Sequence, residues 1–119
     1  REIHHYRRAQ NYSLDMASPP KLTDAQRKAA LEKAAEARKV RAELKARIKM
    51  GSLTLRQVLD ISDQNEIVSR TKVLAILESM PKIGKVKARR LMESIGIAES
   101  RRLRGLGDQQ RAALLAEFD

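Results

Sequence analysis

The sequence has 119 residues, of which 25 are Lys or Arg and 15 are Asp or Glu, so its formal net charge at pH 7 is +10. This length predicts one domain with appendages, and the charge favours polyanionic partners. The sequence has no cysteine, which excludes a disulfide framework and thiolate chemistry, and it shows neither a signal peptide nor an apolar run approaching a membrane span. Two Tyr and one Phe are too few for the stacking platforms of single-strand RNA readers.

Residues 1–22 are predicted to form a flexible basic arm, because they show no hydrophobic periodicity and end close to Pro19 and Pro20. His4 and His5 are adjacent, but no second group of ligands accompanies them, so the sequence predicts no metal site. No other cofactor is expected.

Residues 23–50 are predicted to form one long charged helix. Thr23 and Gln26 have the spacing of an N-terminal capping box, and Gly51 supplies a C-terminal stop. At 1.5 Å per residue the helix is roughly 40 Å long. Its buried stripe recurs every four residues and covers only the second half: Val40, Leu44 and Ile48.

The charges of this helix are sorted by sign. At 100° per residue, five basic residues fall within a sector of about 80°: Arg27, Arg38, Arg41, Lys45 and Lys49. Glu32, Glu36 and Glu43 fall together on a separate face. A solvated helix with i,i+4 ion pairs is the alternative, but such a helix mixes the signs around its axis. We therefore interpret the five cations, called the basic ridge below, as a surface that faces an anion.

Residues 51–119 are predicted to form a small helical domain. Thr54 and Gln57 make a second capping box, and short helices are expected at about 55–61, 64–70 and 72–80. The last of these carries the most apolar face of the chain and is assigned to the core. Because residues 51–119 alone make only a small core, the apolar stripe of the long helix is expected to complete it.

The segment 81–107 is rich in backbone breaks and in positive charge. Pro81 ends the preceding helix, Gly84 is expected to allow a sharp turn and a close approach of another molecule, and a helix then begins at Lys85. The first N–H groups of that helix and its positive dipole end form a phosphate-binding arrangement. Eight basic residues lie in this segment: Lys82, Lys85, Lys87, Arg89, Arg90, Arg101, Arg102 and Arg104. Two acids oppose them, which leaves a local charge of about +6.

The helix from Lys85 is expected to end at Gly96, with Ala88, Leu91, Met92 and Ile95 toward the core. Its basic residues divide between two flanks, one with Lys85 and Arg89 and the other with Lys87 and Arg90. A tight arginine turn follows, and a last helix at about 108–117 is expected to bury three apolar side chains: Leu114, Leu115 and Phe118.

The stretches PKIGKVKARRLMESIGI and RRLRGLGDQQRAALLAEF resemble a helix-two-turns-helix element that occurs in a small-subunit ribosomal protein and in formamidopyrimidine-DNA glycosylases. From Leu22 to Phe118 the chain is similar to the actinobacterial integration host factors, small basic proteins of the nucleoid. The segments that carry this resemblance are LTDAQRKAALEKAAEAR, KVKA and RRLRGLGD.

The resemblance implies an all-α fold in which a long N-terminal helix packs on a small domain containing the helix-two-turns-helix element. It implies a non-enzymatic, monomeric protein of the cytoplasmic nucleoid that binds double-stranded DNA largely independently of its sequence and bends and compacts it. The implied partners are DNA and a phage integrase–DNA complex, and no membrane. The implied DNA-binding residues are Lys82, Gly84, Lys85, Val86, Lys87, Arg89, Arg90, Arg101, Arg102 and Arg104. The basic ridge is the predicted second DNA surface: Arg27, Arg38, Arg41, Lys45 and Lys49.

Other classes share some of these features. An RNA-binding ribosomal-type protein uses the same element, but such proteins usually carry a long basic C-terminal tail, and this sequence ends at Phe118-Asp119. A DNA glycosylase needs a catalytic apparatus that the sequence does not show. A pure protein-interaction scaffold has no need of a net charge of +10.

Overall fold

The computed structural model describes residues 21–118, and its elements in this range are helices, with no strand among them. The predicted arm up to residue 20, with His4 and His5, lies outside the described residues, as does residue 119. The helices are α1 (Asp24–Lys49), α2 (Leu55–Ser62), α3 (Glu66–Ser69), α4 (Val73–Ser79), α5 (Lys85–Ile95) and α6 (Asp108–Phe118), and a 3-10 turn spans Leu103–Gly105. The predicted all-α fold is confirmed. None of these helices is long and apolar enough to cross a membrane.

Local hydrogen bonds set both ends of α1. The Thr23 backbone N–H donates to the Gln26 side chain at 2.9 Å, and the Gln26 N–H donates to the Thr23 hydroxyl at 3.0 Å, which is the predicted capping box. At the other end Gly51 has a φ of +79°, and the Ser52 N–H donates to the Arg47 carbonyl at 2.9 Å. This left-handed cap ends the helix where the sequence predicts.

The described chain divides into two compact units, and the division falls inside α1. One unit contains the residues up to Lys33, and every residue from 21 to 36 is exposed, including Leu31 at 65%. The other begins at Ala34 and holds the hydrophobic core, to which α1 contributes Leu44 and Ile48. The second half of α1 therefore completes the core of the small domain, as the apolar stripe predicts.

The short helices end close to their predicted positions. The Thr54–Gln57 capping box begins α2, with hydrogen bonds of 2.8 and 3.1 Å. Helix α3 is shorter than the predicted 64–70, because the Asn65 side chain accepts from the Val68 N–H at 3.1 Å and so starts the helix at Glu66. Helix α4 stops before Pro81, since the residue before a proline is driven out of the helical region.

Helices α5 and α6 bury their apolar sides to different degrees. Ala88, Met92 and Leu114 are fully buried. The other predicted core residues of these helices are only half-buried and pack against the edge of the core: Leu91, Ile95, Leu115 and Phe118. Gly96, with a φ of +87°, ends α5 as predicted.

An ion pair joins the end of α2 to α6. Arg111 donates to both carboxylate oxygens of Asp63 at 2.9 and 2.8 Å, and Asp60 lies 3.8 Å away. The hydrogen bond from Arg111 holds the pKa of Asp63 below its usual value and raises the pKa of Arg111. The two-pronged geometry connects elements that are 48 residues apart in the sequence.

Candidate nucleic-acid interface

The N-terminal end of α5 has no side-chain cap. Gly84 occupies the cap position with φ −93° and ψ 178°, and no side chain hydrogen-bonds to the end of the helix. The expectation that Gly84 makes a sharp turn is wrong, because its backbone is extended and the left-handed residue is Lys82, with a φ of +69°. A Cβ at Gly84 would meet nothing within 4 Å. The missing side chain therefore leaves space in front of the helix for another molecule.

The first N–H groups of α5 point into this space. The helical ladder starts with the bond from the Ala88 N–H to the Gly84 carbonyl at 2.9 Å, so the N–H groups of Lys85, Val86 and Lys87 precede it. All three residues are exposed. Unpaired donors at the positive end of a helix dipole bind anions, and the ammonium groups of the two lysines add to that field.

The arginine turn, residues 101–104, is held against the start of α4 by main-chain bonds. The Leu103 N–H donates to the Thr71 carbonyl at 2.9 Å, and the Val73 N–H donates to the Arg101 carbonyl at 3.0 Å. These bonds form a single antiparallel bridge between Lys72 and Arg102. Thr71 and Leu103 are buried, so the backbone of the turn is anchored to the packed interior of the domain.

The three arginines of this turn are not equivalent. Arg101 is half-buried, and its Nη1 donates to the Gly105 carbonyl at 2.8 Å and to the Gln110 Oε1 at 3.1 Å. Arg102 is exposed and its Nη1 donates to the Arg70 carbonyl. Arg104 is exposed and has no side-chain partner within residues 21–118. Arg101 thus braces the turn, whereas Arg104 is directed to solvent.

Gln110 is a positioning residue that the sequence analysis missed. Its Oε1 accepts from the Gly107 N–H at 3.0 Å as well as from Arg101, and its Nε2 donates to the Gly96 carbonyl at 3.1 Å. The sequence contains a spacing that indicates this role, because Gln110 follows Gly107 by three residues, as Gln57 follows Thr54 in the capping box. Gln110 joins the end of α5, the arginine turn and the start of α6.

The two flanks of α5 have different surroundings. On one flank the Arg89 Nε donates to the Glu99 Oε1 at 3.3 Å, and both side chains are more than half exposed. On the other flank Lys87 and Arg90 line a groove that also includes Lys82. Arg89 is therefore held by an internal carboxylate, whereas the groove cations are not.

The predicted DNA-binding residues form two clusters at opposite ends of the packed helices α4 and α5. Gly84 and Lys85 lie between the end of α4 and the start of α5, and the arginine turn follows α5 and is bonded to the start of α4. Helices of seven and eleven residues separate such clusters by roughly 10–16 Å. The two clusters are therefore separate cationic sites rather than one.

Four members of the basic ridge lie in the unit that holds the core. Arg38, Lys45 and Lys49 are exposed and Arg41 is half-buried, and none of them pairs with a carboxylate of the described chain. Arg27 is exposed and belongs to the other unit. The same residues, 21–118, contain no group of three or more His, Cys, Asp or Glu side chains arranged to hold a metal ion.

The helices and turns described above are those of an S13-like H2TH domain, the family that residues 48–118 match. Integration host factor from Mycolicibacterium smegmatis is 58% identical over 100 residues, which cover 84% of this chain and 95% of that protein. Integration host factor from Streptomyces coelicolor is 52% identical over 103 residues, 87% of this chain and 95% of that protein. The chain belongs to this family of actinobacterial integration host factors.

The likeness extends to a solved structure described as "Structure of sIHF bound to an 8bp palindromic DNA". It superposes with a TM-score of 0.72 at 49% identity, and the match covers 74% of this chain and 99% of that one. Integration host factor from Mycobacterium tuberculosis is also similar, with 58% identity over 99 residues, 83% of this chain and 94% of that protein. The resemblance inferred from the sequence motifs is confirmed.

Proposed function

We propose that this chain binds double-stranded DNA with little sequence preference and shapes it, without catalysing a reaction, as an architectural protein of the bacterial nucleoid in the cytoplasm. The support is its membership of the integration host factor family, a relative whose solved structure contains DNA, and its net charge of +10. Lys, Arg and backbone N–H groups recognise phosphates rather than base edges, so affinity is largely independent of sequence.

The observation that carries this proposal is the uncapped N-terminus of α5. Gly84 leaves the N–H groups of Lys85 and Val86 open, and the helix dipole places positive potential at the same point. A DNA phosphate supplies the acceptor that the protein itself does not provide. The Lys85 side chain, which has no ion-pair partner within residues 21–118, adds a second contact to that strand.

The arginine turn supplies the second cluster of phosphate contacts. Arg104 reaches solvent without an internal partner, and Arg102 keeps part of its guanidinium free beyond its bond to Arg70. Arg101 has a different role in this proposal, because its bonds to Gly105 and Gln110 hold the turn in shape. The spacing of roughly 10–16 Å between the clusters lets one protein contact phosphates on both sides of a groove.

A substitution at the cap position tests the phosphate site. Gly84→Asp provides a carboxylate cap that stabilises α5 by about 0.5 kcal/mol, and the same charge repels a phosphate, so duplex affinity falls roughly tenfold. Gly84→Asn is the matched control, since its amide caps the helix without a charge and reduces affinity by only about threefold. Melting temperature and fluorescence anisotropy with a labelled duplex measure the two effects. Unchanged affinity of Gly84→Asp would exclude this N-terminus as the phosphate site.

A ribosomal-type RNA-binding role uses the same fold, and a competition assay separates the two. At fixed salt, unlabelled duplex DNA should displace a labelled duplex at a concentration at least tenfold below that of a structured RNA hairpin of equal charge. Displacement in the opposite order would favour RNA as the partner.

The basic ridge supplies the architectural part of the proposal. A second charged surface can contact the same DNA after a bend, in which case the new contacts offset the energy of bending the DNA. It can also contact a second duplex and so bridge the two. Reversing Arg38, Arg41 and Lys45 to Glu should spare binding to a duplex of about ten base pairs and sharply reduce compaction of long DNA. The matched control reverses three exposed lysines off the ridge, Lys28, Lys33 and Lys39, with the same change of charge. Equal compaction by both variants, imaged on long DNA, would show that the ridge is only a solvated face.

A further inference from the structure

The groove beside α5 combines an apolar wall with a cationic rim. It has a volume of about 620 Å³ and lies between the segment before α5 and the end of α6. Ile83, Leu91 and Phe118 supply its apolar surface, and Lys82, Lys87 and Arg90 are the cations along it. This volume is in the range of protein cavities that hold ligands or anchoring side chains.

The three apolar residues of the groove line it and also pack against the hydrophobic core. Phe118 is the sole aromatic residue in the described range, and it is half-buried and lines this groove. Ile83 and Leu91 are likewise half-buried, so each presents apolar surface to the groove as well as to the core. An aromatic and two aliphatic side chains in one concavity form a place for large apolar anchors.

The cations of the rim have no internal partner. Lys82, Lys87 and Arg90 are all exposed, and none pairs with a carboxylate of residues 21–118, whereas Arg89 on the opposite flank is bonded to Glu99. Within residues 21–118, Glu117 is the one acid that lines the groove, so three described positive charges face one described negative charge. The groove therefore selects an anionic occupant that also has apolar groups.

The backbone at Lys82 strengthens this interpretation. Its φ of +69° is a left-handed conformation that costs a lysine of order 1 kcal/mol. Lys82 lines the groove, so this strained backbone lies at the proposed binding site. The same residue contributes one of the three unpaired rim cations, so the strained position coincides with the charged edge.

We infer that this groove binds an acidic amphipathic segment of a partner protein, with large apolar side chains against Phe118, Ile83 and Leu91 and carboxylates against Lys87 and Arg90. Duplex DNA fits this groove less well, since a phosphate backbone offers no apolar groups to fill the wall. Helices that dock in grooves use anchors at i, i+3 and i+4, and acidic residues on their flanks meet the rim. The DNA contacts proposed above use the Lys85 side chain, the N–H groups of Lys85 and Val86, and the arginine turn. None of these residues lines the groove, so a bound partner leaves these contacts open to the duplex.

The test uses the full chain and a designed probe. The probe is a labelled 14-residue amphipathic helical peptide with Leu and Phe on one face and Glu on the other. Its controls are a scrambled peptide of the same composition and a version with Lys in place of Glu. We expect the acidic amphipathic peptide to bind with a Kd below about 100 µM and both controls to bind at least tenfold more weakly. Peptide-induced amide shifts in NMR spectra should cluster at residues 82–94 and 115–118.

Two charge-reversal variants and one apolar variant test the groove. Lys87→Glu with Arg90→Glu should weaken the peptide at least tenfold. Lys28→Glu with Lys39→Glu, the same charge change at exposed positions of α1, should change peptide affinity by less than twofold. Phe118→Ser, at a lining position outside the predicted DNA contacts, should weaken the peptide at least tenfold and change the affinity of a 12-base-pair duplex by less than twofold. Melting temperatures of all three variants check that the fold is intact.

Several results would overturn the inference: no peptide binding at about 1 mM, equal binding of the scrambled peptide, equal loss in the two charge-reversal variants, or unchanged peptide affinity in Phe118→Ser. A tenfold loss of duplex affinity in the rim variant, with peptide affinity unchanged, would instead assign the rim to DNA. Loss of DNA binding in Gly84→Asp leaves the peptide result untouched, so the two proposals fail separately.

Discussion

Replacing each arginine of the arginine turn with alanine should produce three different results, although the three residues lie within four positions of one another. The structure gives Arg101 two internal acceptors, Arg102 one and Arg104 none within residues 21–118. The loss of stability should therefore be largest for Arg101→Ala, smaller for Arg102→Ala and smallest for Arg104→Ala. DNA affinity should fall more for Arg102→Ala and Arg104→Ala, whose side chains are exposed, than for half-buried Arg101→Ala.

The expected size of the stability effects comes from the hydrogen bonds. A bond from a charged donor contributes about 1.5–3 kcal/mol when buried and less when exposed, so the two bonds of half-buried Arg101 contribute about 2 kcal/mol together. For a domain of this size that lowers Tm by roughly 10 °C. The exposed bond of Arg102 contributes about 0.5 kcal/mol, or roughly 3 °C. Arg104→Ala should leave Tm within about 1 °C.

The expected size of the binding effects comes from phosphate contacts. Each lost contact reduces the slope of log K against log salt by about 0.9, so Arg102→Ala and Arg104→Ala should each show that reduction. Arg101→Ala should reduce the slope less, because its guanidinium faces Gly105 and Gln110.

Calorimetric melting without DNA and anisotropy titrations at four salt concentrations measure both quantities on the same preparations. Arg101→Lys serves as a control that keeps the charge but loses the two-acceptor geometry, so it should lower Tm and retain most of the slope. A Tm loss in Arg104→Ala equal to that in Arg101→Ala would refute the division of roles, as would an unchanged Tm in Arg101→Ala.

Three further predictions concern the supports of the interface. Gly105→Ala puts a methyl group 2.8 Å from the Arg101 Cδ, so calorimetry should show a loss of about 1 kcal/mol in the parent chain and almost none in Arg101→Ala, and equal losses would contradict the contact. Gln110→Ala removes three hydrogen bonds and should destabilise by about 2 kcal/mol, whereas Gln109→Ala, its exposed neighbour, should change stability by less than about 0.5 kcal/mol. Because Arg111 lowers the pKa of Asp63 below its ordinary 3.8, the stability from this pair is present above that pH and is lost as pH falls through the lowered pKa. In urea unfolding, the deficit of Asp63→Asn should therefore be constant at pH 5–7 and shrink below pH 4, and a deficit independent of pH would contradict this.

Helix boundaries were predictable from the sequence because their causes are local. The pairs Thr23–Gln26 and Thr54–Gln57 make the hydrogen bonds that their spacing indicates, and Gly51 takes the left-handed conformation of a helix cap. The bounds of α3 were overestimated because the role of Asn65 as its cap was missed. Helix capping involves residues only a few positions apart, so the sequence alone can show it.

The division of labour among the cations was not predictable from the sequence. Arg101, Arg102 and Arg104 are chemically identical, and only the folded arrangement of Gly105, Gln110 and Arg70 distinguishes them. The groove lined by Phe118 was missed for the same reason. It exists only where the end of α6 meets the segment before α5, and the sequence indicates Phe118 as a core residue.

The salt dependence of duplex binding tests the central claim most directly. If roughly six phosphates are engaged, log K should fall with log salt at a slope near −5. The slope should be the same on two duplexes of unrelated sequence. A slope shallower than about −2, or a thousandfold preference for one duplex, would contradict a phosphate-directed, sequence-independent DNA-binding protein.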